Sequence, residues 1–518
     1  MHWSEKIAAR LIAEHPQRET FVCASGISPS GQVHIGNFRE VATTWFVAEA
    51  LRKQGKQARF IFSWDDYDRF RKVPAGIDPG YAQYIGLPYT QVPCPCGHHA
   101  SYAEHYEREF EAALAVFGIT PEFIYQSREY RSGRYTHGIL RALSARQEIY
   151  DILMDYKTGE RSAEEREAYY PVNVYCERCG KDTTTVHAFD EESLNLIYSC
   201  TCGCYNTLHV PQAGNLKLQW KIDWPMRWGV EEVVFEPGGR DHSTANGSYA
   251  VASVIAERIF GHAPPVYEPY DFISIKGSYA KMSSSSGHNY TPDDLLKIYA
   301  PGNILFLFAK YQPAAAFTVG LDDDVLRNYL EYERYLKSYA GGSLQDDLRT
   351  AVELSLSAGN GGSTPAFGQV AALLPLVNFD LDLTRELLER SGDSFSEESF
   401  QAVTARAGYW LRHWAPHKLI TVNGQPDRAL FASLDAEMQG WLKALCGLLS
   451  AEPMPEGELL MAAVYDICRL EDARVSKQNH KRFFSVIYQL VLGQTEGPRI
   501  PLLVQAIGSQ RLLALLEL

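Results

Sequence analysis

Two stretches of this chain carry residue types and spacings suited to phosphate chemistry. In Ser25–Glu40 (SGISPSGQVHIGNFRE) a Ser/Gly-rich turn follows the apolar run Phe21–Cys23 and leads into a helical pattern from Phe38 to Lys53. Gly26 and Gly31 loosen the turn, and His34 and Asn37 stand one helical turn apart on one face. Such a turn aims free backbone N–H groups and the positive end of a helix dipole at one point, where a phosphate binds. Far downstream, Ile275–Gly287 offers Lys281, then Ser283 to Ser286 and a closing Gly287: a mobile cation with several hydroxyl donors. A helix N-terminus on one side and Lys281 on the other make a clamp for the charge that develops on a leaving pyrophosphate.

Cysteine and histidine supply a second kind of chemistry. Cys94-Pro-Cys96-Gly-His98-His99 with His105 on the next helix offers five candidate ligands for the four places of a tetrahedral zinc site. Cys176-x-x-Cys179, followed by Cys200-x-Cys202-x-Cys204, has the two-knuckle spacing of a zinc ribbon, with apolar strand residues from Leu194 to Tyr198 between the knuckles. Both sets are full, without an open position, so both zinc sites are expected to be structural.

The elements that must position these groups follow from the periodicity. Residues 1–18 read as an amphipathic helix, Thr20–Ala24 as a strand, the segment from Asn37 to Gly55 as a helix, and Gln57–Trp64 as a largely apolar strand. Strand, helix, strand is the start of a doubly wound, Rossmann-like parallel sheet of the α/β class. Its second strand ends in Trp64-Asp65-Asp66-Tyr67-Asp68, placing carboxylates at the edge where such sheets bind ligands. Val210 resumes the sheet, Trp220, Trp224 and Trp228 recur at helical spacing, and Asp241-His242 sits at a further strand–helix junction, where an aspartate accepts ribose hydroxyls. The expected organisation is a catalytic domain in two halves, 1–90 and 206–290, interrupted by a zinc-binding insertion, 91–205. A linker follows over 291–350, then an all-α domain over 351–518.

The sequence is recognisable at this point. His34-Ile-Gly-Asn37 and Lys281-Met-Ser-Ser-Ser285 resemble the two signature motifs of class I aminoacyl-tRNA synthetases, in variants similar to those of the class I lysyl-tRNA synthetase family. Trp64–Lys72, Gln219–Trp228 and Gly238–His242 agree with that family. The resemblance implies catalysis by His34, Asn37 and Lys281. ATP would be bound by Gly31, His34, Gly36, Asn37, Asp241, Lys281, Ser283 and Ser284, with Mg2+ alongside. A lysine pocket would be drawn from Gly26, Ser28, Asp65, Asp66, Trp220, His242 and Tyr270. It also implies zinc on Cys94, His98, His99 and His105, and on Cys176, Cys179, Cys200 and Cys204, with Cys96 and Cys202 as substitutes. Two departures matter: Asn37 replaces a second histidine, and Ser284 replaces a second lysine. Cys23-Ala24 stands where a carboxylate for lysine's ammonium is expected, so Asp65, Asp66 or Glu40 must serve.

Composition sets outer bounds. At 518 residues, 46% apolar and 22% charged, the chain is of ordinary globular make-up, neither disordered nor fibrous. Its net charge of −14 argues mildly against nucleic-acid binding, although an acidic enzyme can carry a basic stripe. Arg474, Lys477, Lys481 and Arg482 form the best such stripe, and the resemblance implies a helical anticodon-binding domain around them for tRNA. The start lacks a signal-peptide pattern and no segment is long and apolar enough to span a membrane, so a cytoplasmic location is expected. Rival readings are a class I synthetase for another amino acid, glutamate first; a small-molecule nucleotidyltransferase; and a zinc-ribbon RNA-binding protein with an inactive nucleotide fold.

Overall fold

The computed structural model describes residues 1–157, 162–244, 246–277, 290–359 and 363–516. The chain divides into two compact units: residues 1–296, 301–320 and 335–360 form the first, and 297–300, 321–334 and 361–518 the second.

In the first unit, helix α1 (Trp3–Glu14) opens on a cap in which His2 Nδ1 accepts the N–H of Ser4 at 3.3 Å and Glu5 accepts the N–H of His2 at 3.0 Å. Strand β1 (Thr20–Ile27), helix α2 (Ile35–Lys53) and strand β2 (Gln57–Trp64) follow. Helix α2 buries Phe38, Val41, Ala42, Trp45 and Phe46 among others, so it is covered over most of its circumference. That wide burial, which takes in Arg39, Thr43 and Thr44, explains why its apolar residues do not form a narrow stripe.

The sheet has five strands in the order Val266–Tyr270, Val233–Gly239, β1, β2, Glu122–Tyr125, with every pairing parallel. From β1 the chain winds outward through β2 to β3 (Glu122–Tyr125) on one side, then returns to Val233–Gly239 on the other. The strand order therefore reverses at β1, and ligands of such sheets bind beyond the strand ends at this reversal. Register pairs Gly26 with Ser63 and Ile27 with Trp64, which brings the turn after β1 beside Asp65.

Strand β3, with helix α3 (Tyr102–Val116) before it, lies inside the stretch that the sequence reading gives to the insertion. Its four residues are too short for an alternating pattern to register. The rest of that stretch holds helices and an antiparallel sheet of Thr184–Asp190, Asn195–Cys200 and Tyr205–His209. Val172–Val174 pairs with Leu216–Leu218, closing the excursion.

The second unit is helical throughout its described residues from 363 to 516. Asp380, Ser396, Asp427, Asp435 and Asp472 each cap a helix through a side-chain oxygen. Two helices, Arg428–Ser433 and Ala436–Leu449, follow one another closely, the second starting where Asp435 accepts the N–H of Met438 at 2.8 Å. Phe367 stacks on Tyr329 with centroids 3.9 Å apart, and the Trp410 indole donates to the carbonyl of Leu321 at 3.0 Å, fixing the core. Among the described residues, no helix is long and apolar enough to cross a membrane.

Candidate active site and metal clusters

The signature turn ends on His34, the N-cap of α2. Its Nδ1 accepts the backbone N–H groups of Gly36 at 3.1 Å and Asn37 at 3.4 Å. An acceptor at Nδ1 places the ring proton on Nε2, so the capping imidazole keeps a donor to offer. Burial lowers its pKa to about 4, which keeps it neutral. A Cβ at Gly36 would lie 2.9 Å from His34 Cε1 and Nδ1, so only glycine permits this cap. Gly31 is buried in the bend before it. Asn37 Oδ1 is buried with no hydrogen-bond partner among the described residues, and turning the amide over presents its NH2 to an anion instead.

Beside this turn lies a pocket lined by Gly26, Ser63, Asp65, Gln126, Trp220 and Arg227, with Trp224 and Glu236 deeper. Trp220 stacks on Trp224 with centroids 5.0 Å apart and planes at 16°. The indoles of Trp224 and Trp228 both donate to Glu236, at 3.0 and 2.6 Å, so the first forms the wall and the other two belong to the core. Asp65 accepts from Arg227 at 2.7 Å, and burial pushes its carboxyl up against that pull. Asp66 is committed elsewhere: it accepts the backbone N–H of Ser127 at 2.7 Å and the Ser127 hydroxyl, which makes it a cap for the helix after β3.

Glu40 gathers the remaining pocket candidates. Its Oε1 accepts the N–H of Gly26 at 3.1 Å and its Oε2 the hydroxyl of Tyr270 at 2.7 Å. Desolvation pushes its carboxyl up to about 8, against these bonds. Sequence reading leaves Glu40 as one of three carboxylates; the 230-residue separation from Tyr270 hides the pairing that distinguishes it. His242 lies over the edge of Trp224, with ring centroids 6.2 Å apart. Lys281, Ser283 and Ser284, and the side chain of Asp241, lie outside the described residues.

Arg39, which sequence reading does not single out, is 2% exposed and donates to three backbone carbonyls: Asp271 at 2.7 Å, Gln312 at 2.9 Å and Ala315 at 2.7 Å. It ties the first turn of α2 to the chain just after Tyr270. The N–H of Ile35 donates to the carbonyl of Tyr290 at 2.9 Å, so residues on both sides of the 278–289 segment are fastened to α2.

Two clusters have metal-ligand chemistry. In the first, Cys94, Cys96, His99 and His105 converge. Here Cys96 stands in the place expected for His98: the N–H of Gly97 returns to the carbonyl of Cys94 at 3.2 Å, and this tight turn, with Gly97 at φ +74, carries the Cys96 sulfur to within 3.1 Å of Cys94 Sγ and 3.3 Å of His99 Nδ1, although Cys96, like His98, is exposed. In the second, Cys176, Cys179, Cys200 and Cys202 converge, and Cys202 takes the corner expected of Cys204. Cys200 N–H bonds Cys204 O at 2.8 Å as the last rung of the hairpin, so the thiol at the turn's tip folds over the cluster.

Metal–ligand lengths of about 2.3 Å for sulfur and 2.0–2.1 Å for nitrogen give tetrahedral edges of roughly 3.8 Å and 3.3 Å. The observed Cys176–Cys202 and Cys179–Cys200 separations are 3.7 and 3.6 Å, and His99 Nδ1 to His105 Nδ1 is 3.3 Å. The four ribbon thiols match the edges of a zinc tetrahedron; the first set has zinc-type donors, with its two sulfurs closer than such an edge, at 3.1 Å. Burial opposes ionisation of Cys94 and Cys200, but the hydrogen bonds around each thiol, from Cys96 and His99 and from Cys202 and Thr183, draw both down to about 6.

Arg474, Lys477 and Lys481 form an exposed i, i+3, i+7 stripe on Ala473–Leu492, while Arg482 is turned toward Asp435 and Glu437.

The class I (K) tRNA synthetase family model matches residues 1–358, and the chain belongs to that family. A lysine–tRNA ligase of Treponema pallidum is 36% identical to it over 99% of this chain and 97% of its own length. Those of Borreliella burgdorferi and Thermococcus kodakarensis are 34% and 32% identical, covering 98% and 96% of each chain. Among solved structures, a glutamate tRNA ligase from Elizabethkingia meningosepticum covers 96% of this chain and 98% of its own, at 12% identity and TM-score 0.46, too loose a likeness to carry a substrate assignment.

Proposed function

We infer that this protein attaches lysine to its tRNA with ATP, through a lysyl-adenylate. The observation that carries the reading is full-length similarity to lysine–tRNA ligases of bacteria and archaea, joined to a neutral His34 that caps α2 at the reversal point of the sheet. Lysine's carboxylate attacks the α-phosphorus of ATP in line, so the protein supplies positioning and charge stabilisation rather than a nucleophile. His34 Nε2–H and the Asn37 amide bind phosphate oxygens, Lys281 follows the charge onto pyrophosphate, and Asp241 takes the ribose. Mg2+ accompanies ATP, held mainly by phosphates and water.

The pocket favours a cation. Its one arginine, Arg227, is paired with Asp65 and with Asp223 at 3.3 Å, whereas Glu40 and Glu236 face no guanidinium within ion-pair distance among the described residues. Glu40, already joined to Gly26 and Tyr270, is the best acceptor for the side-chain ammonium, which supplies the charge that desolvation denies it. Zinc on Cys94, Cys96, His99 and His105, and on Cys176, Cys179, Cys200 and Cys202, pins the knuckles, and the ribbon does not lack a core: Cys176 and Cys200 are buried with Val174, Leu196, Tyr198 and Leu208. The 91–205 insertion is assigned to the acceptor end of tRNA, and the stripe Arg474, Lys477 and Lys481 to its backbone, within the 351–518 domain. An enzyme of translation without membrane-spanning helices belongs in the cytoplasm. The test is pyrophosphate–ATP exchange with tRNA present: exchange that requires lysine supports the reading, and exchange that requires glutamate refutes it.

A further inference from the structure

Five charged side chains form a line from the pocket wall to the signature turn. Arg227, whose guanidinium lies 5.7 Å from the Trp220 ring centroid, bridges Asp65 at 2.7 Å and Asp223 at 3.3 Å. Lys217 Nζ stands 3.7 Å from Asp223 and makes a close ion pair with Asp68 Oδ1. The other oxygen of Asp68 accepts the hydroxyl of Ser28 at 3.0 Å. Lys217 has only 5% of its side chain exposed. A lysine so placed is tolerated only with anions at hand, and removing one partner is costly.

The position of Lys217 matters. It belongs to the short strand Leu216–Leu218, which pairs with Val172–Val174 where the insertion returns to the sheet. Asp68 follows β2, and Ser28 follows β1. Three chain segments therefore meet at one ion pair and one hydroxyl. Asp65 and Asp68 repel one another, and Lys217 offsets that repulsion. A serine whose proton is committed to a carboxylate has only lone pairs left to offer. Ser28 is thus fixed as an acceptor, suited to an ammonium.

We propose that Asp68, held by Lys217, is a positioning residue that fixes Ser28 as a hydrogen-bond acceptor for an ammonium of the bound amino acid. The proposal rests on the lysine reading above. Asp68 does not touch substrate; it acts through Ser28, and Lys217 keeps Asp68 ionised and in place.

The test uses the full chain in lysine-dependent pyrophosphate–ATP exchange with tRNA present, with thermal unfolding of each variant alongside. Asp68→Ala is expected to raise the KM for lysine about tenfold while leaving that for ATP within about twofold. Ser28→Ala is expected to do the same, and Ser28→Ala/Asp68→Ala to be no worse than the worse single variant, because both remove one interaction. Asp68→Asn/Lys217→Met removes both charges together but keeps an acceptor for Ser28, and is expected to hold the lysine KM within about threefold of wild type. That variant decides the matter if Asp68→Ala does not fold. The proposal is overturned if Asp68→Ala changes the lysine KM less than about threefold, if the two alanine effects multiply, if the KM values of ATP and lysine rise together, or if the Asn/Met variant loses more than about threefold. A wild-type chain with no lysine-dependent exchange at all overturns the function instead.

Discussion

The Nδ1 of His34 accepts the backbone N–H of Gly36 at 3.1 Å, so the histidine that opens the signature helix is oriented by its own helix and keeps Nε2–H for a ligand. The contact requires glycine at 36, because an added Cβ would sit 2.9 Å from the ring. Gly36→Ala is expected to lower lysine-dependent exchange at least tenfold. The unfolding midpoint should fall only a few degrees. An unchanged exchange rate would show that the cap does not matter to phosphate binding.

The same histidine gives a pH signature. Burial lowers its pKa to about 4, below the unfolded value of about 6.5. The unfolded chain therefore binds more protons between these values, so this contribution to stability is complete above pH ~6.5 and is lost as pH falls toward 4. Urea unfolding of wild type and His34→Asn should diverge on acidification, with wild type losing more. Parallel curves would contradict a buried neutral His34.

Glu40 has the opposite sign. Its folded pKa, pushed up to about 8 by desolvation, lies above the unfolded value, so its share of stability is present below pH ~4.5 and is lost as pH rises through 8. Binding an ammonium ionises the carboxyl, so the lysine KM is expected to fall between pH 6.5 and 8.5. Glu40→Gln should raise that KM on the order of a hundredfold and flatten the pH dependence, with the ATP KM little changed. A variant that binds lysine normally would move the ammonium to Asp65.

Zinc content separates the metal ligands from their neighbours. Wild type is expected to carry two zinc ions. Cys96→Ser and Cys202→Ser should each lose one, whereas His98→Ala and Cys204→Ser should keep both. The reverse pattern by metal analysis would contradict the convergence of Cys94, Cys96, His99 and His105 and of the four ribbon thiols.

Arg39 supplies a purely energetic prediction. Arg39→Met leaves three carbonyls without their donor and is expected to cost about 3 kcal/mol or more. Chemical denaturation checks this, and a loss below about 1 kcal/mol would mean that water replaces the guanidinium.

What could be read beforehand depended on range along the chain. Strand β1, helix α2, strand β2 and the placing of His34 and Asn37 follow from local periodicity and one turn, and the structure has them within a few residues. Strand β3 was hidden by its length of four residues. The choice between Cys96 and His98, or Cys202 and Cys204, turns on which way a tight turn points a side chain, and spacing leaves that open. Asp66 looks like a pocket carboxylate until Ser127, 61 residues away, is seen to occupy it. Arg39 and the line from Asp65 to Ser28 depend on partners brought together only by the sheet, so no local pattern marks them.

Lysine and tRNA are the substrate pair on which the function stands. Unfractionated tRNA, ATP and Mg2+ should be incubated with the protein and each of the radiolabelled amino acids in turn, and acid-precipitable label counted. Label from lysine alone is expected. Label from glutamate, or from no amino acid while ATP is still turned over, would contradict the account.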